Sequence, residues 1–218
     1  MIFLPLSIFI ILLFILLLPV FFFIIQIEII RLSLGKIGLS PASAFMIILL
    51  SLIGSMINIP LYTREATIIP PETSFPFFHF FPWVPYEHTK QVIAINLGGC
   101  IIPLLLCIYL LPKAPLLPTI FATIITTLIC FHISTIVPGV GVRIPALIPP
   151  LVAVFLAFIF SPGNKIPVAY ISGVLGVLIG ADILNLPHLE GYPGIMSIGG
   201  AGVYDGIFLV GIISALLA

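Results

Sequence analysis

The chain has 218 residues, of which 61% are hydrophobic and only 6% charged, with seven Lys and Arg against seven Asp and Glu. So few charged side chains cannot cover the surface of a water-soluble domain, so the composition specifies a polytopic membrane protein. With no net charge and no basic patch there is no case for nucleic acid, and three cysteines inside apolar runs (Cys100, Cys107, Cys130) fit neither a disulfide framework nor a metal site.

In chain order, Met1–Ile30 is a long apolar run. It has no positive leading region and no small-residue cleavage site, so it reads as a retained first span. Pro41–Pro60 is the second, opened by Ser40 as cap and Pro41 in the first turn. Leu61–Lys90 is the one substantial loop. Its prolines (Pro70, Pro71, Pro76, Pro82, Pro85) forbid an ordinary helix. Its aromatics, among them Phe75, Phe77, Trp83 and Tyr86, favour the membrane interface, either as an anchor or as a lid over the bundle. The third span is expected at Gln91–Leu111 and the fourth at Ala114–Val137. The fifth, Ile144–Phe160, is short and broken by Pro145, Pro149 and Pro150. Ile166–Leu186 and Gly199–Leu217 complete an all-α bundle of about seven spans, or six if the fifth is re-entrant. Loop cations place Arg31, Lys36, Lys113 and Lys165 on one side and Arg64, Lys90 and Arg143 on the other. That balance points to an outside N-terminus and an inside C-terminus.

The last two spans carry one aspartate each, Asp182 and Asp205. Ionisable groups inside a membrane are costly and mark function. Counted from the connecting loop, both lie roughly 6–9 Å below the same membrane face. Because successive spans alternate in direction, Asn58, His88, Asn96, His132, Arg143, Asn185, His188 and Glu190 all fall on that face too. This outlines one site in which Asp182 and Asp205 are the catalytic candidates. Asn58, Asn96, His132, Arg143, Pro145, Asn185 and Tyr204 are its substrate-binding candidates.

Three chemistries fit. Two carboxylates sharing a proton can activate water and protonate a leaving amine, as in aspartic proteases. The same pair can bind and release a proton or cation in a transporter, with Arg143 and His132 as coupling groups. Alternatively, Arg143 neutralises the acids in a non-catalytic scaffold. The partners implied are the lipid bilayer and a membrane-embedded peptide or small ion. The pattern calls for no cofactor and no metal.

Four motifs carry a resemblance: Ile95-Asn-Leu-Gly-Gly-Cys100, Val137-Pro-Gly-Val-Gly141, Ala169 through Asn185, and Ser197-Ile-Gly-Gly-Ala-Gly-Val-Tyr-Asp-Gly-Ile-Phe208. From Gln91 onward the chain resembles an uncharacterised family of archaeal and bacterial integral membrane proteins, a domain of unknown function. It also partly resembles the presenilin and signal-peptide-peptidase type of intramembrane aspartyl protease. Those proteins place one catalytic Asp on each of two consecutive helices, the second in a Gly-x-Gly-Asp motif, with a Pro-Ala-Leu motif nearby. Here Gly202 precedes Asp205, Tyr204 takes the second glycine's place, and Pro145-Ala146-Leu147 comes before the acid-bearing helices. The resemblance implies hydrolysis of a peptide bond with Asp182 and Asp205 as the catalytic pair.

Overall fold

The structure is a computed structural model that describes residues 6–67, 88–137, 141–189, 194–200 and 206–218. Seven α-helices occur among them: α1 (Leu6–Lys36), α2 (Pro41–Gly54), α3 (Ile102–Leu110), α4 (Leu116–Ile133), α5 (Ile148–Phe160), α6 (Lys165–Val177) and α7 (Gly206–Leu217). Five strands join them: β1 (Asn58–Thr67), β2 (His88–Asn96), β3 (Thr135–Val137), β4 (Gly141–Arg143) and β5 (Gly194–Ile198). Two π-helical turns, Leu97–Ile101 and Leu178–Ile183, lead into α3 and extend α6.

The bundle is built around α6. From Val168 to Val174 every side chain is buried, as expected of a helix with neighbours on all sides. It packs against α3, α4, α5 and α7. Small residues set the distances. α4 turns Thr119, Ala122, Thr126 and Cys130 inward at helical spacing. Opposite them, Gly176 lies so close that a Cβ there would meet Thr126 Cγ2 at 2.5 Å. Where lipid and protein are equally apolar, such close van der Waals packing is what holds helices together. α1 behaves differently. Its apolar side chains from Ile8 to Ile25 are exposed. Only its last turns join the core, where Ile30 and Leu34 are buried and Ser33 Oγ donates to Ile212 O of α7 at 2.6 Å.

Among the described residues three helices are long and apolar enough to cross a membrane: Ile8–Lys36, Leu116–Ile133 and Lys165–Ile183. The others are shorter. α2, α5 and α7 have 14, 13 and 12 residues, about 18–21 Å of helix against a hydrocarbon core of about 30 Å.

The bundle is not all helix. α2 stops at Gly54, and the expected second span turns extended at Asn58. β1 pairs antiparallel with β2, from Asn58 opposite Asn96 to Thr67 opposite His88, with an irregularity between Pro60 and Tyr62. β5 then pairs parallel with β2, giving the order β1-β2-β5. The expected third span therefore begins as a strand, and both ends of the Leu61–Lys90 loop are sheet. Its middle, where the lid or anchor was expected, lies outside the described residues. Two causes explain the difference. Pro60 cannot continue a helix. Val92, Ile93 and Ile95 are β-branched and sit in the central strand, whose apolar run reads in sequence like a buried helix.

The fifth span is also corrected. Pro149 and Pro150 fall in the first turn of α5, where no intrahelical N–H bond is needed, so they start that helix and do not break it. Pro145 stays outside it, exposed.

Candidate functional site at the sheet-bearing end

The connections sort to two ends of the bundle. At one end the α1–α2 turn, the end of α3 and the start of α6 meet around one hollow. At the other lie the three-stranded sheet, the β3–β4 hairpin and the turns that follow α6.

Polar side chains knit the sheet end together. Asn96 is buried at the junction of β2 and the π-helical turn. Its Oδ1 accepts from Gly99 N at 2.8 Å, capping that turn. Its Nδ2 donates to Ser55 O at 2.8 Å and to Asn58 Oδ1 at 2.9 Å. Asn58 Oδ1 also accepts from Ser197 Oγ of β5 at 2.5 Å. Asn58 and Asn96 thus meet, but their bonds join α2, β1, β2 and β5. Asn185 has a similar role: its Nδ2 donates to Gly180 O, Ala181 O and Ser134 Oγ at 2.9–3.1 Å. This ties off the carbonyls of the second π-helical turn and fastens them to the end of α4.

Asp182 is the next-to-last residue of that turn. The expected helix continued to Leu186; the observed one ends at Ile183, so Asp182 stands at a helix end and not a turn inside it. A wider π-helical turn is a local departure that recurs at functional sites. Asp182 is partly buried and lines a half-open cavity of about 130 Å³ together with Gly141, Val142, Leu186, Leu189, residues Ile195 to Ile198, Gly199 and Gly200. Successive residues of a strand point to opposite faces. A cavity touched by four consecutive residues therefore runs along the strand's edge. Among the described residues β5 pairs on one side only, with β2. The cavity is a groove beside the other edge, with Asp182 in its wall.

Asp205 and Tyr204 lie outside the described residues. Asp205 follows the groove-lining Gly200 by five positions and directly precedes α7. Arg143 is exposed on β4, opposite Thr135, immediately after the groove residues Gly141 and Val142. His132 is exposed in the last turn of α4, edge-on to Phe131 at 5.8 Å between ring centroids. His188 is exposed beside the groove residue Leu189. Among the described residues no group of three His, Cys, Asp or Glu could hold a metal ion.

One member of this end escaped the sequence reading. Gln91 is fully buried. Its Oε1 accepts from Arg64 Nε, and its Nε2 donates to Leu189 O at 2.7 Å with Met196 Sδ at 3.1 Å. It thereby fixes both β5 and the turn holding Leu189 against β2, setting the groove's width. A polar residue opening an apolar, β-branched run was the available signal; a membrane helix would more readily leave it at the interface.

No curated protein and no solved structure matches the chain, so its likeness to presenilin-type proteases stays with the motifs themselves. A family model does match, over residues 52–217, beginning before the motifs and taking in the end of α2 and the whole sheet. The chain belongs to the DUF1614 family of proteins of unknown function.

Proposed function

We propose that the chain is a multi-pass membrane hydrolase of aspartyl-protease type, with Asp182 and Asp205 sharing one proton. The observation that supports this reading is the groove along the edge of β5 that has no strand partner among the described residues, with Asp182 in its wall. An extended peptide can join such an edge through its backbone, which would carry its amides past Asp182. Gly200 lines the same groove and leads in sequence toward Asp205.

In this chemistry the ionised carboxylate takes a proton from water as the water oxygen bonds to the peptide carbonyl carbon. The protonated carboxyl then gives its proton to the amide nitrogen as the C–N bond breaks. The pair ends with one shared proton, as it began. In this reading the chain crosses the membrane seven times with its C-terminus inside, the side that holds Arg31, Lys36, Lys113 and Lys165.

The test is cleavage of a library of quenched-fluorophore peptides, each one apolar span long, by the full chain in liposomes. Asp182→Asn and Asp205→Asn should each lower the rate at least about 100-fold, with thermal unfolding unchanged. Full activity in either single variant sinks the two-acid mechanism.

A second reading is a proton- or cation-coupled transporter, favoured by the π-helical turn that carries Asp182. Breaks in membrane helices present backbone carbonyls to ions. Proton flux across the liposome wall that disappears in Asp182→Asn, with no peptide cleaved by the wild type, would select this reading over the first.

A further inference from the structure

The opposite end of the bundle carries a larger cavity, of about 340 Å³. This is within the size range of small-molecule sites. Three lysines line it from three different connections: Lys36 at the end of α1, Lys113 after α3 and Lys165 at the start of α6. Among the described residues none of the three pairs with a carboxylate. Lys36 Nζ donates to Leu216 O. Lys113 Nζ reaches Ile37 O at 3.5 Å and lies 3.8 Å over the Tyr109 ring. Lys165 Nζ lies 3.9 Å over the Phe158 ring. The acid nearest in sequence to Lys36, Glu28, is engaged by Arg31 one turn along α1. Asn164, at the N-cap of α6, makes no side-chain bond to the amides that follow it, so the positive end of that helix dipole adds to the same field.

Three lysines line one cavity and, among the described residues, none has a carboxylate partner, so an anion held there would relieve their mutual repulsion. We propose that this cavity binds a phosphate-bearing anion. Lysine meets phosphate as a point charge and needs no fixed fork of donors, which suits three separate connections converging on one group. The surroundings favour a phospholipid head group as the source. Leu111, Leu116 and Leu117 flank Lys113 in sequence and are exposed, giving acyl chains an apolar wall beside the cations. Basic pockets between membrane helices hold anionic head groups by this combination. A free phosphate from water is the other source of the same chemistry.

The experiment uses the full chain in phosphatidylcholine nanodiscs. Phosphatidylglycerol is titrated into the bilayer in one arm and inorganic phosphate into the water in the other. Lipid retained on the protein is read by native mass spectrometry, and phosphate binding by isotope retention. The expected result is saturable phosphatidylglycerol binding, weakened roughly fivefold by each of Lys36→Gln, Lys113→Gln and Lys165→Gln, and about 100-fold by all three. Lys90→Gln, on β2 at the other end, should leave binding unchanged. Replacing all three by Arg should preserve it and shows that the charge, not a failure to fold, is responsible. Phosphate binding with the same lysine dependence, and no preference for phosphatidylglycerol, assigns the site to a soluble phosphate. Binding of neither ligand overturns the proposal, as does phosphatidylglycerol binding that is equal in the wild type and the triple Gln variant or equally weakened by Lys90→Gln.

Discussion

Gly98→Ala tests how tightly the sheet end is joined to the helices. Gly98 lies in the first π-helical turn, pressed against the end of α2. A Cβ at this position would stand 2.0 Å from Ser51 O, 2.4 Å from Ser55 N and 2.8 Å from the carbonyl carbon of Gly54. All three are backbone atoms, so no side-chain rotation can relieve the overlap and α2 must move as a body. Ser51 Oγ donates to Gly98 O at 2.9 Å across the same contact, and the movement strains that bond too. Overpacking of this kind costs about 1–3 kcal/mol or more, and rigid backbone on every side puts Gly98 at the upper end. Losing the hydrogen bond costs about 1 kcal/mol more. Against this, alanine gains about 1 kcal/mol over glycine in helical backbone. The net loss is about 3 kcal/mol, or roughly 6–12 °C in Tm for a chain of this size. Thermal unfolding of the full chain in detergent, followed by tryptophan fluorescence and by circular dichroism, measures it. Gly163→Ala is the control, because nothing lies within 4 Å of its Cβ position; it should stay within about 1 °C. A Gly98→Ala protein as stable as wild type would refute the close approach of α2 to the π-helical turn, and with it the described attachment of the sheet.

Asn96→Ala strands Ser55 O and the Gly99 amide, while Asn58 Oδ1 keeps the bond from Ser197 Oγ; at about 1 kcal/mol or more for each group left unmatched, a loss of about 2 kcal/mol is expected in the same melt. Asn96→Asp should do no better, since its second oxygen would face two acceptors. Gln91→Leu keeps the apolar volume but removes the bonds to Leu189 O and Arg64, so hydrogen exchange should quicken in Gly194–Ile198 and around Leu189 while α6 stays protected. Unchanged exchange there would mean that Gln91 does not set the groove. Gly176→Ala, whose Cβ would meet Thr126 Cβ at 2.8 Å and Cγ2 at 2.5 Å, should destabilise by about 1–3 kcal/mol and be rescued in part by Thr126→Ser in a double-mutant melt.

Composition alone made the membrane bundle legible, and local chemistry gave the start of α2, where Ser40 Oγ accepts from Ser43 N ahead of Pro41. The alternating direction of successive spans put Asn58 and Asn96 on one face, but their direct bond comes from the β1–β2 pairing, which that reading did not contain. What stayed hidden has one physical source. A strand flanked on both sides and a buried helix both present unbroken apolar residues, so the Val92–Ile95 run carried no period to separate them. Once that stretch was taken as helix, Asn96 looked like a polar residue left for a ligand and Gln91 carried no reading at all, whereas the sheet uses both as its own fasteners. The prolines misled for a related reason: Pro149 and Pro150 break a helix only in its interior, and here they stand in the first turn of α5, a boundary that sequence spacing does not display.

The short helices and the small sheet explain each other. α2 and α7 fall about 10 Å short of a hydrocarbon core of roughly 30 Å, while α6 with its π-helical extension, Lys165–Ile183, nearly spans it. The segments next to the short helices at the sheet end include β1 beyond α2 and β5, whose last residue lies a few positions before α7. If all these helices start level at the lysine-bearing end, where Lys36, Lys113 and Lys165 share one cavity, the missing length at the other end is made up by the sheet. Strand backbone at that depth is tolerable only where it is buried in protein or lines a wet cavity. β2 meets the first condition, paired on both sides. The other edge of β5 has no strand partner among the described residues, so at that depth it would have to meet the second, and the groove beside it, with Asp182 in its wall, would be where water reaches it. A carboxylate and an unsatisfied strand edge are each costly in a membrane; placed side by side, they need only one wet groove between them.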